Sequence, residues 1–207
     1  GLTDTEMLYS EIIAFIFAGI ALVASPGPAT LSLAAAGAAF DGRQARIYMI
    51  GIMSGAGLVI TGVAAGLLTA ILSVPHAATV LATISLCYLA YLAYRIASAP
   101  PINSDGGAGA APGFVTGLVF NLSNPKAYAA FAALFAGFDL VPGAPLGSTV
   151  LEAVICYAIV IVADVGWVLI GASLRRYLHD PSKSRIINIS FAILLVFSVM
   201  PALTFLR

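Results

Sequence analysis

Two ionisable side chains, Lys126 and Asp164, lie near the centres of long apolar stretches of this sequence. A charge in the middle of a membrane costs about 2.5 to 3.5 kcal/mol on insertion scales, so it normally faces a protein interior or a wet cavity. Lys126 could attract a carboxylate, while Asp164 could bind an ammonium group or carry a coupling proton. The structural alternative is that the two side chains pair and lock their helices together.

Two amides lie close to Lys126 in the sequence. Asn121 and Asn124 are three residues apart and therefore share one helix face, where both could form hydrogen bonds with the same ligand. Two further acids, Glu11 and Glu152, lie near the outer ends of their apolar stretches and are expected at the membrane interface.

Two proline motifs interrupt apolar stretches that would otherwise form continuous helices. The first is Pro26-Gly27-Pro28 and the second is Asn124-Pro125-Lys126. One proline in a membrane helix is usually a simple kink. Two breaks at matching depth point instead to a transport site, because broken membrane helices occur where backbone polar groups line a cavity.

The prolines also predict which backbone groups are freed. Because proline has no N–H, three carbonyls lose their helical hydrogen bond, those of Leu22, Ala24 and Asn121. An unwound turn would expose carbonyls on one side and the N–H groups of Ala29 and Thr30 on the other. Such a turn could hold both an ammonium group and a carboxylate.

The composition places the chain in a membrane. Of its 207 residues 61% are hydrophobic and only 9% are charged, whereas about a quarter of an ordinary globular domain is charged. The formal net charge of zero argues against nucleic-acid binding, which needs a basic surface. The cysteines and histidines lack metal-ligand spacing, so we expect no metal and no other cofactor.

Windows of about 20 apolar residues predict six membrane-spanning helices and hence an all-α membrane protein. These windows cover residues 10–38, 46–72, 76–98, 113–138, 148–174 and 186–206. The stretch 99–112 is rich in Gly, Ala and Pro, the composition of a flexible linker. It divides the chain into two three-helix repeats, residues 1–98 and 113–207.

With three spans each, the two repeats are predicted to be inverted with respect to each other. The first helix of each repeat is the one broken at proline, so the inversion would bring both breaks together near the bilayer midplane. The basic loops follow spans one, three and five. By the positive-inside rule these loops, including the linker, are cytoplasmic, and both termini lie on the outer side.

Because it contains both motifs, the chain resembles the lysine exporter (LysE/RhtB) superfamily of small bacterial inner-membrane amino-acid exporters. The resemblance rests on the length, the six predicted spans, Pro-Gly-Pro in the first and Asn-Pro-Lys in the fourth. It implies a secondary transporter rather than an enzyme, which exports amino acids or related small metabolites with the proton gradient. A homo-oligomer is possible. The resemblance also implies that both motifs line the central substrate site.

The complete candidate substrate site combines the motif residues with the polar side chains near them. It consists of Pro26, Gly27, Pro28, Asn121, Asn124, Pro125, Lys126 and Asp164. Asp164 is also the candidate for proton coupling. One buried acid opposed by one lysine favours neutral zwitterionic substrates over cationic ones.

Two other functions stay open at this point. A membrane thiol-disulfide electron carrier can share this architecture, but it needs a cysteine near the break in each half. Cys87 and Cys156 are far in sequence from both motifs. The other alternative is a passive small-solute channel.

Overall fold

The computed structural model of the protein describes residues 4–66 and 112–174, with side chains from Met7 onward, and single residues and short stretches within 73–97 and 180–194. Helices account for most of the two long ranges, which contain no strand. The helices are α1 (Asp4–Val23), α2 (Pro28–Ala39), α3 (Gly42–Ala64), α4 (Phe114–Leu122), α5 (Pro125–Gly137) and α6 (Pro145–Leu174).

Several of these helices are suited to a membrane. The 23 residues of α3 and the 30 residues of α6 have mean hydropathies of 1.8 and 2.5, and each is long enough to cross a bilayer. The bent pair α1 and α2 also qualifies when taken as one span. The protein is therefore a multi-pass helical membrane protein, as expected, while the arrangement of six helices in two inverted repeats stays a prediction.

Some predicted boundaries lie outside the described residues, and the second span begins earlier than predicted. The spans at 76–98 and 186–206 and the linker at 99–112 fall almost entirely outside the described parts of the chain. The span predicted at 46–72 is instead α3, Gly42–Ala64. It starts earlier because the carboxylate of Asp41 accepts a hydrogen bond from the N–H of Gln44 at 2.8 Å and so caps the helix.

The first proline break separates α1 from α2, which meet at a bend of 63°. Pro28 occupies the first turn of α2, where its missing N–H is not needed. The hydroxyl of Thr30 accepts a hydrogen bond from the N–H of Gly27 at 2.8 Å. This bond fixes the start of α2 and gives a partner to one of the N–H groups that have no helical acceptor at the break.

The second proline break separates α4 from α5 in the same way. Pro125 begins α5, and Asn124 is the capping residue, with its side-chain oxygen accepting from the N–H of Lys126 at 3.1 Å. Both interruptions predicted from the proline motifs are therefore present. The chain is broken at corresponding positions in two of its predicted spans.

Glycines let two helix pairs pack backbone to backbone. Gly51 of α3 faces the backbone of Phe114, and Gly171 of α6 faces the backbone of Ala34 in α2. A Cβ at position 171 would lie 2.7 Å from the Cα of Ala34 and would overlap its carbonyl group. Membrane helices commonly associate through small residues of this kind.

We expect Gly171→Ala to destabilise the protein by about 1 to 3 kcal/mol or more, since the crowded atoms belong to a backbone that cannot rotate away. Gly166→Ala is the matched control, because a Cβ there meets no described atom within 4 Å. The measurement is the midpoint of thermal unfolding in detergent. Equal midpoints for the two variants would show that α2 and α6 do not pack as closely as described.

Candidate functional site

The carbonyls released at the first break are capped by side chains. The carbonyl of Leu22 accepts a hydrogen bond from the hydroxyl of Ser25 at 3.1 Å, and that of Ala24 accepts from the indole N–H of Trp167 at 3.0 Å. The expectation that they stay unbonded is therefore wrong. Unpaired carbonyls are costly away from water, and donors from the same turn and from α6 satisfy them.

The second break is closed by similar contacts. The carbonyl of Asn121 accepts from the N–H of Asn124 at 3.1 Å, so it too is not left unbonded. The neighbouring carbonyl of Leu122 accepts from the hydroxyl of Tyr128 at 2.9 Å. The amides of Asn121 and Asn124 are both buried, and they contact each other at 3.4 Å. They do not share one helix face as predicted, because Asn121 lies in α4 and Asn124 caps α5 in an extended conformation.

Lys126 joins the two breaks. Its Nζ donates to the carbonyl of Ser25 at 2.6 Å, to the hydroxyl of Ser25 at 2.9 Å and, more weakly, to the carbonyl of Pro26 at 3.5 Å. We call these three oxygens the Ser25–Pro26 cup. An ammonium group has three N–H donors, so the cup can engage all of them with neutral acceptors alone.

Gly27 makes room for the lysine. Its φ of −167° and ψ of −178° are extended and open to any residue, so its backbone conformation does not require glycine. A Cβ at this position, however, would lie 2.7 Å from Cδ and 2.8 Å from Nζ of Lys126. The missing side chain therefore serves the approach of Lys126 to the Ser25–Pro26 cup.

We expect Gly27→Ala to lower the stability of the wild-type protein but not that of the Lys126→Ala variant, in which the clashing atoms are gone. The coupling between the two positions should amount to about 1 kcal/mol or more. Thermal unfolding midpoints of the wild type, both single variants and the double variant would measure it. If Gly27→Ala costs the same in both backgrounds, Lys126 does not pass over Gly27.

Asp164 is buried on α6 with a relative exposure of 4%. Its Oδ2 atom has no hydrogen-bond partner among the residues that the structure describes. Lys126 donates to Ser25 and Pro26 instead, and no ion pair joins these two described side chains. The structural alternative, a direct pair that locks the helices, is therefore not the arrangement found here.

A small cavity lies between the two breaks. Its volume is about 40 Å³, which is room for about three water molecules. The polar part of its wall is formed by Thr30, Asn121, Asn124, Lys126 and Asp164. The rest is largely apolar, with Ile52, Phe131 and Val160 among the lining residues. The cavity would have to widen to admit an amino acid.

The structure brings together five of the eight residues predicted for the site. The residues that line the cavity are Gly27, Asn121, Asn124, Lys126 and Asp164. The three prolines, Pro26, Pro28 and Pro125, do not line it but shape the breaks. The assignment of all eight as substrate-binding residues stays a prediction.

Three polar residues at or near the breaks were missing from the sequence-based set: Ser25, Thr30 and Trp167. The apolar lining residues Ile52, Phe131 and Val160 were missing as well. Ser25 and Thr30 flank the first proline motif, so their positions in the sequence could have predicted that they belong to the site. Trp167 had no comparable signal, because its contact with Ala24 spans 143 positions of the chain.

Glu152 is buried within the protein, with a relative exposure of 2%. Its position near the membrane interface stays a prediction. The hydroxyl of Ser148 donates to its Oε1 at 2.8 Å and accepts from the N–H of Leu140 at 2.6 Å. The turn that precedes α6 thus folds over the start of the helix and covers the carboxylate. Glu152 does not line the cavity.

Fold and site together define a multi-pass helical membrane protein with a small cavity between two helix breaks. Its wall carries a lysine and a carboxylate whose Oδ2 has no partner in the part of the chain that the structure describes. Such a cavity between broken helices is typical of membrane transporters. The family model described as LysE type translocator matches residues 20–203, and the chain belongs to this family. No curated protein and no solved structure matches the chain. The family match confirms the resemblance seen in the two motifs, and it indicates a transporter of small solutes.

Proposed function

We propose that this protein exports zwitterionic amino acids or closely related metabolites across the bacterial inner membrane, using a widened form of the central cavity. One observation carries the proposal. Lys126 and Asp164 border the same cavity, yet they do not pair with each other. A cavity with two separate, opposite charges is complementary to a molecule that carries both a carboxylate and an ammonium group.

Lys126 is the group that binds the carboxylate of the substrate. Its contact with the carbonyl of Pro26, at 3.5 Å, is the weakest of its three, so this N–H is the first available to a ligand. The bond to a carboxylate would join two opposite charges and would be stronger than the contact with a neutral carbonyl that it replaces. The buried amides of Asn121 and Asn124 are close in sequence to Lys126 and offer further hydrogen bonds to the carboxylate.

Asp164 is the group that binds the ammonium of the substrate, because its Oδ2 has no described partner and the residue lines the cavity. A buried carboxylate without a partner is costly when charged, so it should hold either the substrate ammonium or a proton. The two occupants exclude each other. This exclusion is what an exchange of substrate for proton requires.

The remaining wall favours a neutral substrate side chain. Ile52, Phe131 and Val160 offer apolar contacts, and Asp164 is the one acidic residue that lines the cavity among the described residues. A second positive charge on the substrate would lack an acidic partner there and would face Lys126. The proposal therefore places neutral amino acids ahead of cationic ones.

The two alternative functions, a thiol-disulfide carrier and a passive channel, predict different experimental results. A thiol-disulfide carrier needs reactive cysteines at the midplane, whereas Cys156 is buried on α6 and does not line the cavity. Substituting both cysteines by serine should therefore leave export intact. A passive channel would conduct without any response to the pH gradient.

The experiment is efflux from proteoliposomes that are loaded with a mixture of amino acids, with and without an imposed pH gradient. We expect selective depletion of neutral amino acids, faster with the gradient and slowed by an uncoupler. Vesicles without protein and vesicles with the cysteine-free variant are the controls. No selective depletion would contradict the proposal, and depletion that ignores the uncoupler would favour the passive channel.

A further inference from the structure

We propose that the Ser25–Pro26 cup is a binding site for a primary ammonium group in its own right, which Lys126 fills with its own side chain in this structure. This site is separate from the substrate ammonium position at Asp164. Its existence rests on the contacts of Lys126 and does not depend on the proposed function.

The chemistry of the cup selects the ligand. Two backbone carbonyls and one hydroxyl surround Nζ, with distances of 2.6 and 2.9 Å to Ser25 and 3.5 Å to Pro26. The hydroxyl of Ser25 can accept from Nζ because its own proton is directed to the carbonyl of Leu22. Three neutral acceptors match three N–H donors, so a primary ammonium fits better than a quaternary one.

The cup lies beyond the wall of the cavity. Lys126 and Gly27 line the cavity, whereas Ser25 and Pro26 do not. Pro26 is exposed and Ser25 is partly exposed. The lysine side chain therefore stands between the cavity and the cup, and truncating it should open the cup to a small cation.

The cup also explains where Lys126 goes when no substrate is bound. If the proposed function holds, the same ammonium must leave at least part of the cup to bind a substrate carboxylate and return to it after release. In the wild type a free amine should compete poorly, since a tethered group has an effective concentration in the millimolar range or above.

The test uses the purified full-length Lys126→Ala variant, titrated with methylammonium chloride at constant ionic strength. We expect a saturable rise of about 2 to 4 °C in the midpoint of thermal unfolding, the range that corresponds to moderate ligand stabilisation of a chain this size. Tetramethylammonium, which has no N–H donor, should give no rise. The wild type should respond less than Lys126→Ala. The response of Lys126→Ala should persist when Asp164→Asn is added, because that substitution removes the proposed substrate ammonium position and leaves the cup.

No response of Lys126→Ala to methylammonium, or an equal response to both cations, would overturn the proposal. Lys126→Ser serves as the second variant if the alanine variant cannot be purified. Chemical modification of Lys126 in proteins that keep this lysine is an independent test. The chain contains only two lysines, Lys126 and Lys183, so Lys183 serves as the internal reference.

An amine-reactive reagent should modify the exposed Lys183 at least about tenfold faster than Lys126 in the wild type, as quantified by mass spectrometry of peptides. Gly27→Ala, which crowds Lys126 out of the cup, should raise the rate at Lys126 and leave Lys183 unchanged. A lysine that is merely buried would not respond to this substitution. An unchanged rate at Lys126 in Gly27→Ala would therefore contradict occupancy of the cup.

Discussion

Replacing Lys126 by alanine is expected to reduce export to the level of vesicles without protein, while expression and membrane insertion stay normal. The substitution removes the group that we propose binds the substrate carboxylate. A hydrogen bond to a charged group contributes about 1.5 to 3 kcal/mol, which corresponds to a loss of binding of about 10- to 100-fold. It also removes the three hydrogen bonds that join Lys126 to the first break.

The chain offers a matched control in its second lysine. Lys183 is 59% exposed and forms an ion pair with Asp180 at 3.5 Å. Exposed pairs of this kind contribute about 0 to 1 kcal/mol, so Lys183→Ala should export at the wild-type rate. If Lys126→Ala also exports at that rate, the lysine does not take part in transport.

Asp164→Asn is expected to abolish the effect of the pH gradient and to reduce export to background, although the side chain keeps its shape. The neutral amide can neither exchange a proton nor form a charge-assisted bond with the substrate ammonium. Efflux with and without a pH gradient measures both losses. Thermal unfolding should show an equal or higher midpoint, because the substitution removes a buried carboxyl group whose Oδ2 has no partner among the described residues.

Glu152→Gln is the control for Asp164→Asn, since Glu152 is a second buried carboxylate on the same helix that does not line the cavity. Its amide oxygen can still accept from Ser148, so export should persist. Loss of export together with loss of stability in Asp164→Asn would point to a structural role for Asp164. Wild-type export in that variant would rule out its proposed part in proton coupling.

The positions of the two breaks could be predicted from the sequence because they follow from the covalent structure of proline. Pro28 and Pro125 cannot donate a helical hydrogen bond wherever they lie, and both begin a helix in the structure. The importance of Lys126 and Asp164 could be predicted for an equally general reason, the cost of a charge in an apolar stretch.

The partners of these groups could not be predicted, because they depend on packing between distant segments. Trp167 reaches the carbonyl of Ala24, and Lys126 reaches Ser25, only once α6 and α5 lie against the first break. The burial of Glu152 likewise requires the turn before α6 to fold back over it. Periodicity and composition carry no signal for such contacts.

In the proposed mechanism, Lys126 and Asp164 bind opposite ends of one zwitterion. The most direct test of this mechanism measures how strongly three ligands inhibit export: the amino acid that is exported best, its decarboxylated amine and its deaminated acid. The wild type should prefer the amino acid to either analogue by about tenfold or more, the difference expected for one lost charge-assisted bond.

Binding in the variants can be followed with the same ligands on purified protein. Lys126→Met, which fills the space of the lysine stem without an ammonium group, should no longer distinguish the amino acid from the amine but should still discriminate against the acid. Asp164→Asn should no longer distinguish the amino acid from the acid but should still discriminate against the amine. If both variants keep the wild-type order of preference, the two charges do not recognise the substrate and the account is wrong.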